Sequence, residues 1–340
     1  LNFASVDALL WHHDGVPRIR IDRTELSVFS FVDVDTPEAH AFTTYLAYWE
    51  AFASIVTDLY GDPGRVLDEL AQRKKFRSLS ASQFAGDTDR LQELLLSSWH
   101  HELGLHMVDE DDPRVIAYNH QVLVSAYYAI SHSARSWLLA YNSSEPTNHR
   151  SALSAMAHML HRSYLFPAPW NFTCTKVGEP PEWWGFPHAP GSVSNLSSNY
   201  DCYDMVAKAL RTTRLKRLKE LVVVEKAALR VTRAPNGTLL KVDKRSEPTT
   251  VFDVLWRSRT RSSYGNPSMF YVGTLDPFRA QALTRSVKTV VEATMLIFEA
   301  CVAQRSRESL AAAAVHYMSR DKTGITDKTL LPRMRALGLV

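Results

Sequence analysis

The sequence predicts a mainly α-helical protein, on three observations. Apolar residues recur at three- and four-residue spacing through several long stretches, the pattern that lines one face of a helix. Strand signals are few, and the best of them lies near the N-terminus. The breaks between helical stretches carry the Pro, Gly, Asn and Asp that end helices.

The elements follow in order. Val16 to Val34 is the strand candidate: Ile19 and Ile21 alternate with Arg18, Arg20 and Asp22, and Leu26, Val28, Phe31 and Val34 follow in a β-rich run. Thr36-Pro37-Glu38 supplies a capping hydroxyl, a first-turn proline and an early acid. The helix it starts should run to Tyr60 and stop at Gly61-Asp62-Pro63-Gly64. A second helix is expected over Asp87–Leu105, and a third, after a turn at Asp109–Pro113, over Arg114–Tyr141. In the third, Leu123, Tyr127, Ile130, Ala134, Trp137 and Tyr141 form one apolar face. Ser125, Ala126, Ala129, Ser131 and Ser133 between them permit close helix packing. Asn142 to Pro146 breaks it, and a fourth helix covers Asn148–Ser163. From Pro167 to Asn199 prolines and tryptophans crowd together, which predicts irregular chain pinned by aromatic packing. A basic helix over Asp201–Arg230, a hairpin over Val231–Val242 around Asn236-Gly237, and helices over Asp276–Arg305 and Glu308–Ser319 complete the reading. The divisions expected are an N-terminal α/β extension (1–86), a first bundle part (87–167), an insertion of irregular chain plus basic helix (168–250), and closing helices (251–340).

Composition narrows the class. Hydrophobic residues make up 45% and charged residues 22%, a balance suited to a soluble globular chain. No apolar run approaches the roughly 20 residues of a membrane span. The opening LNFASVDALLWHHDGVP lacks a basic leader and a clean apolar core, so no signal peptide is expected. Cys174, Cys202 and Cys301 are too sparse for a disulfide scaffold and fit a reducing cytoplasm, so the Asn-x-Ser/Thr matches at Asn142, Asn171, Asn195 and Asn236 carry little weight. Net charge is +3, but Tyr203–Ser262 holds 15 Lys and Arg against 6 Asp and Glu. That segment is therefore +9 and the remainder −6. Such asymmetry suggests a face for a polyanion; the alternative is a solvated helix balanced by acids elsewhere in the fold.

The stretch SAYYAISHSARSWLLA (Ser125–Ala140) resembles the second helix of HEPN domains, small up-and-down helical bundles of prokaryotic toxin–antitoxin and defence loci. The likeness continues in order: EPTNHRSALSAMAHMLHRSYLFP (Glu145–Pro167) is similar to the next loop and helix, and Arg257–Ala300 to the closing segment. It covers about a third of the chain; the first hundred residues and Ala168–Thr250 have no counterpart. The resemblance implies a bundle split by an insertion, a homodimer, and a nucleic acid ligand, RNA before DNA. It equally allows a non-catalytic scaffold docking a partner encoded nearby, such as a nucleotidyltransferase or an ATPase.

Catalytic relatives are metal-independent endoribonucleases using an Arg, a gap of four to six residues, and a His. The His moves a proton at the ribose 2′-hydroxyl while the Arg stabilises charge on the phosphorane. The matching position here holds Arg259, Arg261 and Tyr264, with no His. A Tyr, with an ordinary pKa near 10, is a poor general base at neutral pH but can orient a phosphate. Whether the chain is an enzyme is therefore left open; Arg259, Arg261 and Tyr264 are the catalytic candidates. Arg211, Arg214, Lys216, Arg217, Lys219 and Arg257 are the candidates for phosphate contact. Arg114 and His120 match the spacing formally, in the wrong element. His149, His158 and His161 lie nearer the expected bundle surface, although surface histidines are more often solvated than catalytic. His100, His101 and His106 lack the i,i+4 spacing of a helical zinc pair, and neither metal nor cofactor is expected. No Gly-rich phosphate loop, Ser-centred elbow or HExxH occurs.

Overall fold

The computed structural model describes residues 37–61, 63–81, 84–142, 145–163, 165–176, 182–183, 202–228, 238–265, 268–271 and 276–340. The expected strand at Val16–Val34 lies outside them. The architecture is mainly α. Its helices are α1 (Pro37–Tyr60), α2 (Pro63–Gln72), α3 (Lys74–Arg77), α4 (Thr88–His106), α5 (Asn119–Asn142), α6 (His149–Ser163), α7 (Cys202–Ala228), α8 (Thr238–Arg245), α9 (Val251–Thr260), α10 (Ser268–Tyr271), α11 (Pro277–Arg320) and α12 (Leu330–Ala336). No helix among the described residues is long and apolar enough to cross a membrane.

Helix α5 is central and buried on most of its circumference: Leu123, Ala126, Ala129, Ile130, Ala134, Trp137 and Leu138 are all buried, as are Ser125, Ser131 and Ser133. Its small residues let α4 and α11 approach closely, and Ser98 on α4 donates to the Ala129 carbonyl at 2.8 Å. Helix α1 packs on α11 and α7, burying Phe42, Leu46, Trp49, Phe52 and Val56. One hydrophobic core joins Phe42, Leu91, Tyr127, Phe172, Val206, Phe252 and Val291. It therefore runs through the N-terminal helix, both parts of the bundle and the insertion alike.

The insertion is closed at its base. Strand β1 (Phe172–Cys174) pairs antiparallel with β2 (Glu182–Trp183) and with β3 (Thr249–Thr250), in the order β2-β1-β3. Thr173 lies opposite Thr250, so the two ends of a long excursion are hydrogen-bonded neighbours. Asp253 then starts α9 by accepting from the Thr250 N–H at 2.8 Å and from its hydroxyl at 3.0 Å.

Two expectations change. The second arm of the hairpin expected over Val231–Val242 is helical from Thr238; residues 229–237 lie outside the described set. The third helix begins as a 3-10 turn (Pro113–Tyr118), started by Asp112, and becomes α-helical at Asn119. The last two expected helices are present: α11 spans Pro277–Arg320, but Ser306 is non-helical (φ −148°, ψ 62°) and divides it into two helices at the expected break, where the polar Gln304–Glu308 stretch interrupts the apolar periodicity.

A candidate nucleic-acid interface

The C-terminal end of α9 meets α5 and the start of α6, and α4 packs on α5 beside them. Tyr128 and His132 lie four apart on α5, and so share one face. His101 on α4 stacks against both, its ring centroid 5.1 Å from Tyr128 and 5.5 Å from His132; the two imidazoles are within 3° of parallel. Tyr127 Oη lies 2.9 Å from His149 Nδ1, and Trp256 of α9 packs on Tyr127 and His149 with centroids 5.2 Å from each. Arg259 closes the group. Its Nη2 donates to Tyr128 Oη at 2.6 Å, and its guanidinium carbon lies 5.3 Å from the Tyr128 and Trp256 ring centroids and 5.0 Å from that of Tyr264.

Burial and neighbouring cations hold the histidines neutral. Burial, the field of His101 and that of Arg135 push His132 down to about 4. Burial, then His100, lowers His101; burial, then Arg135 and Arg259, lowers His149. Burial likewise pushes Tyr127 up to about 12, which keeps its proton. Arg135 pairs with Glu145, which also accepts from Arg90 Nε at 2.6 Å, tying α5 to α4 behind the histidines.

Beyond Arg259, α9 passes into one π-helical turn, Arg261–Gly265. Such turns are rare and frequent at functional sites. This one leaves Tyr264 74% exposed. Arg257 donates to the hydroxyls of Thr212 (3.0 Å) and Thr213 (3.1 Å), both neutral partners. Lys216 of α7 lies close enough to Arg261 and Arg257 that, after burial, their fields lower its pKa; Glu220, 3.8 Å away, opposes them. Tyr45 of α1, raised by burial, feels the same two guanidiniums.

The residues expected to contact phosphate divide. Arg214 is 0% exposed, its Nε donating to Asp243 Oδ1 (2.8 Å) and its Nη groups to the Glu247 and Asp243 carbonyls (both 2.9 Å). Arg217 bridges Glu247 and Asp253, 3.2 Å from each. Both are consumed inside the fold, because the acids of the α8 region face α7, and neither remains a phosphate contact. Lys219 is exposed, Arg211 is half-buried, and Lys216 and Arg257 join the Arg261 group. The structure thus brings Arg257, Arg259, Arg261, Tyr264 and Lys216 to one region.

Of His149, His158 and His161, His149 reaches this region. His158 lies 3.2 Å from Glu247, and Arg114 is spent on Asp112. His132 was missed, and His101 was weighed only as a metal ligand; the i,i+4 spacing of Tyr128 and His132 was the available signal. Among the described residues no group of three His, Cys, Asp or Glu side chains could hold a metal ion. The three cysteines are free and buried, and burial pushes the thiol of Cys174 up to about 11.

Fold and site together define a helical-bundle protein with a cationic, aromatic and histidine-lined face. Comparison with protein-family models, curated proteins and solved structures found no match.

Proposed function

We propose that this is an RNA-binding protein of HEPN type, acting as a homodimer in a defence or toxin–antitoxin setting. The observation that carries the RNA reading is the group Lys216, Arg257 and Arg261, with the exposed Tyr264 beside it. Arg257 is met by hydroxyls and, among the described residues, Lys216 by a distant Glu220, so these cations remain available to phosphates. Tyr264 offers a ring on which a base stacks.

The test is binding to a generic single-stranded RNA across a salt series. Each phosphate contacted contributes about −0.7 to the log–log slope, so a Lys216→Ala/Arg257→Ala/Arg261→Ala variant should lose roughly 2 from it. An unchanged slope with the fold intact would assign this face to a protein partner, and the scaffold reading would replace this one.

A metal-independent ribonuclease is the second reading, favoured by the neutral imidazole of His149 near Arg259. A neutral imidazole can accept the 2′-hydroxyl proton, and Arg259 can meet the charge on the phosphorane. Cleavage in the presence of EDTA that is lost in His149→Gln and Arg259→Met, with binding retained, is the expected result.

A further inference from the structure

A cleft of about 360 Å³ opens between α6, α7 and α9, within the size range of small-ligand pockets. Arg150 and Leu153 line it from α6; Thr213, Lys216, Arg217, Glu220 and Val224 from α7; Asp253, Trp256, Arg257 and Thr260 from α9. Arg217 and Asp253 face each other at 3.2 Å and cancel. Arg150, Lys216 and Arg257 then stand against Glu220 alone, whose side chain is largely exposed, a surplus of two positive charges. Arg257 Nε is buried without an acceptor, and its Nη1 is held by two threonine hydroxyls, which fix the guanidinium without neutralising it. Leu153, Trp256 and Val224 supply apolar lining to the same cleft.

Two surplus charges beside an apolar wall match a doubly charged head on a flat apolar body. A phosphodiester carries one charge; a phosphomonoester carries about −1.5 to −2 at pH 7. We propose that the cleft binds a nucleoside 5′-monophosphate, its phosphate on Lys216 and Arg257 and its base against Trp256. The ligand is either a free nucleotide or the phosphorylated 5′ end of a strand. Helix α7 belongs to the insertion, so the cleft has no counterpart in the resemblance noted above. The inference leans on the RNA reading only through the shared Lys216 and Arg257.

The test is calorimetric titration of the full chain with AMP, adenosine and ribose 5-phosphate, and with triadenylate carrying a 5′-phosphate or a 5′-hydroxyl. AMP should bind at least tenfold more tightly than adenosine and than ribose 5-phosphate. Arg150→Gln, an exposed position whose loss leaves the core intact, and Lys216→Gln should each weaken AMP about fivefold or more. A tenfold preference for the 5′-phosphorylated trinucleotide identifies a strand end as the source. AMP binding with no such preference identifies the free nucleotide. If neither phosphorylated ligand outbinds its phosphate-free counterpart, the proposal is overturned. Ribose 5-phosphate binding as tightly as AMP overturns it too, because the apolar wall would then be idle. Salt-dependent binding of long RNA is measured separately, so loss of the cleft site leaves the RNA reading standing, and the reverse also holds.

Discussion

Arg259 is held by rings rather than by a carboxylate: Tyr128, Trp256 and Tyr264 surround its guanidinium. Cation–π contacts contribute from about 0.5 to 2 kcal/mol each as burial increases, and they leave the charge free to act on an anion. His132 gives this region a pH dependence. Its pKa is about 4 in the fold and near 6.5 unfolded. As pH falls through 6.5 the unfolded chain binds a proton that the folded chain refuses. Stability therefore falls from pH 6.5 down to about 4, by about 3 kcal/mol from this residue. His132→Leu should flatten the decline in urea denaturation between pH 7 and 4.5; an undiminished slope would clear this residue. Glu292 works in the opposite direction. Burial, reinforced by Glu102, pushes its carboxyl up to about 7, with His106 Nε2 3.2 Å away and itself pushed by burial to about 4. Between pH 4.5 and 7 the fold keeps a proton that the unfolded chain releases, so this contribution is lost as pH rises through 7. Glu292→Gln should raise stability at pH 8 more than at pH 5 in the same assay.

At the scale of elements, the C-terminal helix α12 is anchored by one side chain. Arg333 donates to both oxygens of Glu102 (2.6 and 2.7 Å) and both of Glu299 (2.8 and 3.0 Å), and Trp99 Nε1 donates to Glu299 at 2.8 Å. All three charged groups are buried. Removing the cation strands two carboxylates, so Arg333→Met should cost about 3–5 kcal/mol in chemical denaturation. A loss below 1 kcal/mol would mean that α12 is not anchored there. Arg305 caps α5, its Nε on the Ala140 carbonyl (3.1 Å) and its Nη2 on that of Tyr141 (3.3 Å). A cation there also meets the negative end of the helix dipole. Helix α7 shows why a charge run is not yet a binding face. Leu210 and Leu218 turn inward, but Arg214, between them on the same side, turns inward too and is met by Asp243.

Across the whole molecule, the shared core makes the N-terminal helix part of the bundle. A chain beginning at Gly86 would bare the surfaces that Phe42, Trp49 and Phe52 cover. Truncation there should abolish cooperative thermal unfolding and produce strong binding of a hydrophobic dye; a sharp two-state transition would show that the rest folds alone. The starts and ends of α1, α4, α5 and α6 were legible to within a residue or two, apart from the 3-10 opening of α5, because caps and apolar periodicity are local signals. Helices α2 and α9 were not singled out. Neither runs longer than ten residues, and α9 is defined by its Thr250–Asp253 start and by packing on α5 and α7.

The sequence by itself determined the helical class, the long helices and the basic character of residues 203–262. Each depends on neighbours in the chain, and propensity, capping and formal charge act at that range. Only the tertiary structure decided which cations remain free. Arg214 and Arg217 look no different in sequence from Lys216, yet acids thirty residues away claim the first two. It also decided that His149 stands beside Arg259, and that His101 and His132 stack with Tyr128, to which Arg259 donates, where the local motif lacks a histidine. Charge pairing and side-chain convergence depend on distance in space, which linear spacing does not encode.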